Sequence, residues 1–259
     1  MRLTVVGSSD AFNSAGRCHS CYWLDGACDG SVMVDFGATA LSAARRAGKE
    51  PRDLRAIVFT HLHGDHIGGF PYLWLDGMYN NIRTKDLLVV GPIGTRERVV
   101  SLGRVAYGDV IDRPRPYDIE WREILPGGST SFGGLTVNGF AAQHMDPPDQ
   151  PLCVRIEGAD RSVVAFSGDT EVCEGLFQAS HGADLLVAEC SGMRPPAGRH
   201  ITWAEWAVEL PRVKARKVLL THLNAEVRSN APSLVTQKPD HLELGFAEDG
   251  LVIDVPPSR

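Results

Sequence analysis

Thr60-His61-Leu62-His63-Gly64-Asp65-His66-Ile67-Gly68-Gly69 is the stretch of sequence that decides the fold. His61 and His63 are two positions apart, so an extended backbone can direct both side chains toward one metal ion. Asp65 and His66 lie at the turn into the next predicted helix and can serve a neighbouring ion. Imidazole and carboxylate ligands suit zinc, iron or manganese. The stretch therefore predicts a metal site, and the alternative of a histidine-rich surface loop is disfavoured.

Three apolar strands of the chain each end in a residue type that binds metals. Ile57-Val58-Phe59 runs into Thr60-His61, Val218-Leu219-Leu220 runs into Thr221-His222, and Val163-Val164-Ala165-Phe166 runs into Ser167-Gly168-Asp169. Short, wholly apolar strands are typical of sheets that are covered on both faces. Because ligands bind at the carboxyl ends of strands in such sheets, the pattern predicts an α/β sandwich with a site along one sheet edge.

The rest of the chain alternates short strands with helices and shows no linker or low-complexity tract. The predicted strands are Leu3–Val6, Tyr22–Leu24, Ser31–Asp35, Ala56–Phe59, Leu87–Val90, Glu120–Leu125, Leu135–Phe140, Leu152–Glu157, Ser162–Phe166, Leu185–Ala188 and Lys217–Leu220. The predicted helices are Thr39–Ala47, Ile67–Tyr79, Thr95–Tyr107, Glu171–Ser180 and Thr202–Leu210. The last forty or so residues give no clear pattern. We expect a single domain over residues 1–259.

Composition and charge exclude several classes of function. The 259 residues include 26 Lys and Arg against 32 Asp and Glu, a formal net charge of −6. An acidic balance argues against general binding to nucleic acids or anionic membranes. No apolar run approaches the roughly 18 residues of a membrane span, and the start is expected to be a first strand, not a signal peptide. These features predict a cytoplasmic protein.

Six cysteines in a chain of this length do not indicate a disulfide scaffold. Cys18-x-x-Cys21, with Cys28 and His19, offers ligands for a structural zinc ion, although the set falls short of a convincing site. The alternative is free thiols in a reducing compartment. His19, His181 and His241 lack any motif and are expected to be ordinary surface or core residues.

The pattern His61-x-His63-x-Asp65-His66 resembles the hallmark of the metallo-β-lactamase superfamily, and the resemblance spans most of the chain. It implies a four-layer αβ/βα sandwich with the metal site at one edge of the two sheets. His144, Asp169 and His222 match the later motifs of the family. The resemblance implies one ion held by His61, His63 and His144, a second held by Asp65, His66 and His222, and a bridging Asp169.

By this resemblance the cofactors are two divalent metal ions, with zinc expected and manganese or iron as alternatives. Such a centre supplies a metal-bridging hydroxide at neutral pH as the attacking group. The resemblance makes Asp65 a catalytic residue that helps to orient it. The β-lactamases proper commonly use a cysteine ligand in the second site, where this chain has Asp169 and His222. That departure argues against antibiotic hydrolysis.

Glu189 and His200 resemble an acidic residue and a His-x-Thr segment of the ribonuclease Z branch. The resemblance implies that His200 protonates a leaving oxygen or stabilises a phosphoryl oxygen, and that Glu189 orients His200 or His222. The plainer alternative is that His200 only precedes a helix capped by Thr202. The transfer-RNA arm of that branch lies between the third histidine and the bridging aspartate. Only 25 positions separate His144 and Asp169, so transfer RNA is disfavoured.

The favoured function is therefore a dinuclear metal-dependent phosphodiesterase that acts on a small phosphodiester or cyclic phosphate. The alternatives are a metallohydrolase of a lactone, thioester or sulfate ester, and a ligand-binding relative with little turnover. The expected partner is a small anionic molecule. No interaction with a membrane is expected, and the family suggests a homodimer.

Two further segments are candidates for the walls of the site. The loop Gly7–Arg17 resembles the N-terminal active-site loop of the superfamily, and its Arg17 could meet an anionic substrate. An aromatic-rich cluster follows the metal motif and could wall a pocket, form a dimer interface or fill a helix core. Its members are Phe70, Tyr72, Leu73, Trp74, Met78 and Tyr79.

Overall fold

The computed structural model describes residues 1–257. The strands in this part of the chain are β1 (Arg2–Gly7), β2 (Cys21–Asp25), β3 (Ser31–Val34), β4 (Leu54–Val58), β5 (Leu87–Pro92), β6 (Ile119–Ile124), β7 (Ser129–Phe132), β8 (Leu135–Ala141), β9 (Leu152–Glu157), β10 (Val163–Phe166), β11 (Leu185–Glu189), β12 (Lys217–Thr221), β13 (Glu243–Phe246) and β14 (Val252–Asp254). The α-helices are α1 (Ala40–Arg46), α2 (Gly64–Ile67), α3 (Phe70–Leu75), α4 (Thr95–Tyr107), α5 (Glu174–Ser180), α6 (Trp203–Glu209) and α7 (Ala225–Leu234).

The strands form two seven-stranded mixed sheets. The first has the order β14-β1-β2-β3-β4-β5-β6, and the second has the order β13-β12-β11-β10-β9-β8-β7. The strands β3 to β6 run parallel to one another, as do β10 to β13. The parallel strands β5 and β11 are buried at every residue, as expected where helices cover the outer face.

Three apolar clusters define the layers of the fold. One cluster joins the inner faces of the two sheets. A second lies between the first sheet and the helices α1, α3 and α4, and the third lies between the second sheet and α5, α6 and α7. The predicted four-layer αβ/βα sandwich is therefore confirmed. Among residues 1–257, no helix combines the length and apolar character needed to cross a bilayer.

The helix predicted over Ile67–Tyr79 is broken in the structure. It begins as α2, stops at Gly68, resumes as α3 and ends in a π-helical turn over Asp76–Asn80. At the break, the Gly69 amide donates a hydrogen bond to the carbonyl of Phe36 at 2.9 Å. A Cβ atom at Gly69 would lie 2.1 Å from the carbonyl oxygen of Gly37. The break therefore lets the metal motif pack directly against the end of β3.

Candidate metal centre

The predicted ligands meet where strands of both sheets end. His61 lies just beyond β4 of the first sheet, and Asp169 and His222 lie just beyond β10 and β12 of the second. His144 lies just beyond β8, also in the second sheet. The edge predicted from the three apolar strands is therefore where the structure gathers these side chains. They come together even though they are widely separated in the sequence.

His61, His63 and His144 form the first ligand group. One potential ligand atom from each lies within 4.8 Å of the other two. Nε2 of His144 is 2.9 Å from Nδ1 of His63. Nε2 of His61 and Nε2 of His144 lie 3.7 and 3.8 Å from the same carboxylate oxygen of Asp169. This is the trio that the family resemblance implied for one ion.

Asp65, His66, Asp169 and His222 form the second ligand group. Nε2 of His66 is 3.3 Å from Asp65 and 3.4 Å from Asp169, whereas Nε2 of His222 is 3.5 and 3.3 Å from the same two carboxylates. Asp169 thus faces both groups, with Oδ1 near His66 and Oδ2 near His61, His144 and His222. This is the position expected of a bridging ligand.

The hydrogen bonds around the histidines fit them for cation binding. In four of them Nδ1 has a partner outside the centre: His61 with the hydroxyl of Thr60, His66 with Asp35, His144 with the carbonyl of Arg199, and His222 with the hydroxyl of Ser191. These partners accept the Nδ1 proton, so Nε2 is the atom that faces the centre and would bind a cation once its proton is displaced. Nε2 of His61 and of His66 is buried and has no hydrogen-bond partner within residues 1–257. A divalent cation would satisfy such buried atoms.

The charges of the centre are strongly coupled. Burial opposes ionisation of Asp169, but the nearby histidines His222, His66 and His61 hold its pKa well below the ordinary value. Burial would also lower the pKa of His222, yet Asp169 and Asp65 raise it to about 9. Burial also opposes ionisation of Asp65, but its contacts with His222 and His66 hold its pKa below the ordinary value, so both carboxylates remain anionic at neutral pH. Anionic oxygen ligands beside imidazoles are a donor set suited to a pair of divalent ions.

Asp35 is a residue of the site that the sequence analysis missed. Its carboxylate accepts hydrogen bonds from the amide and hydroxyl of Thr60, at 2.8 and 2.9 Å, and from Nδ1 of His66 at 2.7 Å. It thereby orients His66 directly and His61 through Thr60. Asp35 directly follows β3, the neighbour of β4. The signal was present, because a strand beside the motif strand ends in an acidic residue at the same sheet edge.

Glu189, Ser191, His200 and His222 form a connected network beside the centre. The buried Glu189 carboxylate contacts Nδ1 of His200 at 3.0 Å and accepts a hydrogen bond from Ser191 at 2.6 Å. The Ser191 hydroxyl in turn lies 2.8 Å from Nδ1 of His222. Burial lowers the pKa of His200, but the bond to Glu189 outweighs it and raises the pKa above the ordinary value. Glu189 thus reaches both histidines, His222 through Ser191, a residue that sequence reasoning missed.

A cavity of about 680 Å³ opens beside this network. Its walls include His200 and His222, the loop Ser191–Ala197 and residues Asp10 to Phe12 of the N-terminal loop. Arg17 is not among the lining residues, and its guanidinium pairs with Glu248 at 2.8 Å. The structure therefore gives no support to the expectation that Arg17 meets the substrate, because Glu248 of the C-terminal segment neutralises its charge. Other residues of the same loop reach the cavity instead.

The aromatic-rich cluster after the motif does not wall the cavity. Phe70, Leu73, Trp74 and Met78 are buried in the core between the first sheet and its helices, whereas Tyr72 and Tyr79 are exposed. The helix-core alternative therefore holds for the four buried members. The two tyrosines face solvent.

The structure does not support a zinc site at Cys18, Cys21 and Cys28. Within residues 1–257, the side-chain groups that could hold a metal contain no cysteine. The sulfur of Cys18 instead contacts the guanidinium of Arg46 at 2.8 Å, and all six cysteines are free thiols. His19 is buried, and His181 and His241 are exposed, so these three histidines are ordinary core or surface residues.

Comparison with known proteins agrees with this geometry. A sequence profile described as "Beta-lactamase superfamily domain" matches residues 30–223. The chain therefore belongs to this superfamily. Within it, the chain is related to ribonuclease Z, as the following relatives show.

Several relatives align with this chain over most of the length of both proteins. A protein of Mycobacterium tuberculosis described as uncharacterised is 26% identical over 228 residues, covering 86% of this chain and 81% of its own. A ribonuclease Z of Methanosarcina acetivorans is 24% identical over 308 residues, covering 99% and 98%. The crystal structure of the short form of human tRNase Z superposes with a TM-score of 0.77 at 20% identity, covering 99% and 100%. This last likeness shows the shared fold.

Proposed function

We propose that the protein is a dinuclear metal-dependent phosphodiesterase that cleaves a small phosphodiester or cyclic phosphate. The observation that carries this proposal is the contact between the buried Glu189 and His200, which lines the cavity. His200 belongs to neither of the two ligand groups described above. One of its ring nitrogens nevertheless lies within 4.8 Å of ligand atoms of His144 and Asp169. A histidine so placed is suited to proton transfer at the reacting group.

Each group of residues in the site has its own role in the proposed reaction. Two divalent cations held by the two ligand groups would polarise a phosphoryl oxygen and make water nucleophilic at neutral pH. Glu189 fixes the ring of His200 through Nδ1. Among the described residues Nε2 of His200 has no hydrogen-bond partner, so it is free to donate a proton to the leaving oxygen. Asp65 and Asp169 stay ionised as ligands, and Asp65 orients the attacking water.

The walls of the cavity suit a small anionic substrate. Arg194 lines the cavity, and within residues 1–257 its guanidinium forms no hydrogen bond or ion pair. Its charge is therefore available to a phosphate. The 24 residues between His144 and Asp169 form a proline-rich turn followed by β9 and β10. No arm that could grip a transfer RNA projects from this described segment, which supports a small substrate.

The first test is hydrolysis of bis(4-nitrophenyl) phosphate by protein reconstituted with zinc or manganese. We expect metal-dependent turnover that Asp65→Ala lowers by several orders of magnitude. Metal content is measured in both proteins, so that loss of ions is distinguished from loss of chemistry. Absence of turnover in the wild type with two ions bound would reject the phosphodiesterase. Assays with lactones, thioesters and sulfate esters would then decide between another hydrolase and a binding protein.

A second test isolates the role of His200. His200→Ala is expected to lower turnover of a dialkyl phosphate on the order of 10²–10⁴-fold, the usual contribution of a general acid. With 4-nitrophenolate as the leaving group the loss should be much smaller, because this anion departs without protonation. A Glu189→Gln variant should show the same dependence on the leaving group. Equal losses with both leaving groups would contradict the assignment of His200 as the proton donor.

A further inference from the structure

Phe12 stands out on the surface because its ring is 88% exposed. Isolated apolar residues on a surface need no explanation, but Phe12 is a wall of the cavity that also contains His200 and His222. The ring therefore shares a cavity with His222, a residue of the second ligand group. A flat apolar ring in that position offers a stacking surface to whatever enters the cavity.

The loop that carries Phe12 is held firmly in place. The buried carboxylate of Asp10 accepts hydrogen bonds from the amides of Phe12 and Ser14, both at 3.1 Å, and from the Ser14 hydroxyl at 2.6 Å. Asn13, next to Phe12, adopts a left-handed conformation with φ of 53°. A loop that is closely tied by hydrogen bonds while it exposes a phenyl ring is consistent with a preorganised binding surface.

Two amide side chains line the same cavity with unused hydrogen-bonding groups. Oδ1 of Asn224 accepts the amide of Val227, which leaves its NH₂ group free. The Nδ2 atom of Asn230 donates to the carbonyl of Glu226, which leaves its Oδ1 atom free. The cavity therefore presents a donor and an acceptor together with the Phe12 ring. A plain aryl group would use only the ring, whereas a heteroaromatic base has edges that can use all three.

We infer that the substrate of the proposed phosphodiesterase is a nucleoside phosphodiester whose base stacks on Phe12, so that Phe12 is a specificity-determining residue. The inference rests on the proposed function. The cavity volume of about 680 Å³ lies in the range of sites for small ligands and accommodates a nucleoside. Because His200 lines the cavity, the nucleoside occupies the side of the leaving oxygen.

The experiment compares two five-membered cyclic phosphodiesters that differ in the presence of a base. Adenosine 2′,3′-cyclic phosphate and glycerol 1,2-cyclic phosphate are hydrolysed by zinc-reconstituted protein, and the ratio of their kcat/KM values is measured. In each, water attacks phosphorus, one ring P–O bond breaks, and the leaving alkoxide takes a proton. We expect the wild type to prefer the adenosine ester. Phe12→Leu should lower the ratio about tenfold, within the range for base–aromatic stacking.

Matched variants separate stacking from apolar bulk and from general damage. Phe12→Tyr keeps the flat ring and should keep the ratio, whereas Phe12→Leu keeps apolar bulk without the ring. Val105→Ala alters a residue that is 87% exposed on α4, away from the cavity, and should not change the ratio. A ratio that is the same in the wild type and in Phe12→Leu would overturn the inference while leaving the phosphodiesterase intact.

A binding measurement distinguishes failure of this inference from failure of the proposed function. Adenosine is titrated into the wild type and into Phe12→Leu by calorimetry. If the wild type cleaves neither ester but Phe12→Leu binds adenosine more weakly than the wild type does, the proposed phosphodiesterase function would be rejected and the nucleoside site would be retained. Equal binding by the two proteins, or no binding by either, would reject the nucleoside site.

Discussion

Asp35 provides the sharpest test of how the centre is held. In Asp35→Asn one carboxylate oxygen becomes an NH₂ group, which can only donate hydrogen bonds. Asp35 has a left-handed backbone with φ of 58°, and asparagine tolerates that conformation well. The substitution therefore leaves the backbone unstrained and changes mainly the hydrogen bonds to Thr60 and His66.

The expected loss follows from the geometry at His66. If Oδ1 of the new amide keeps the bond from the Thr60 backbone, its NH₂ group faces Nδ1 of His66, which Asp35 contacts at 2.7 Å in the wild type. Nδ1 must then accept, so the ring proton moves to Nε2, the atom that we assign as the ligand. Residues that orient metal ligands typically contribute 10–100-fold to metal affinity. We expect zinc binding to weaken by that factor, which corresponds to about 1.4–2.8 kcal/mol.

The assay is competition for zinc between the protein and a chelating dye, performed on the wild type, Asp35→Asn and Asp76→Asn. Asp76 is a matched control, because it is also a buried carboxylate with several donors, Arg45 and Asn80, and it contacts no proposed ligand. Asp76→Asn should reduce stability without changing zinc affinity. A folded Asp35→Asn protein that binds two zinc ions as tightly as the wild type would refute the role given to Asp35.

Three further predictions concern stability. Trp206→Ala should lower the free energy of unfolding by about 3–5 kcal/mol in denaturant titrations, because it removes a fully buried indole that donates a hydrogen bond to the Glu189 carbonyl. Trp206→Phe should lower the free energy of unfolding by less. Gly37→Ala should lower the free energy of unfolding by about 1–3 kcal/mol, because the new Cβ would lie 1.9 Å from the Asp65 carbonyl oxygen. Gly64→Ala is the control and should be tolerated, because no atom lies within 4 Å of the position of its Cβ. Zinc at a hundredfold excess over its Kd should raise Tm by roughly 5–10 °C per site, an effect that calorimetry measures and a chelator reverses; no shift would contradict the proposed centre.

The sequence contained most of what builds the centre, because metal ligands need particular residue types in a compact spacing. His61, His63, Asp65 and His66 stand within one short segment, and the apolar strands before Asp169 and His222 indicated a shared sheet edge. Their convergence is shown by the two ligand groups. The binding of ions by these groups stays a prediction.

Features that depend on contacts between distant segments were beyond the sequence analysis. The break between α2 and α3 results from the approach of Gly69 to Phe36, which no local pattern reveals. Arg17 appeared free because its partner Glu248 lies far along the chain. Ser191 belongs to no motif, and its role depends on Glu189 and His222, which lie on either side of its hydroxyl. In each case a tertiary contact overrode the local signal.

Because both sheets supply ligands, the candidate metal centre can form only late in folding. Asp65 and His222 face one another across 157 positions of sequence, and Asp169 contributes to both ligand groups. A chain emerging from the ribosome therefore presents the histidine-rich motif long before the rest of either group exists. Complete loading with metal would therefore come at the end of folding, when the second half of the chain has formed its sheet. Bound ions would then act as cross-links that tie the two halves together at one edge.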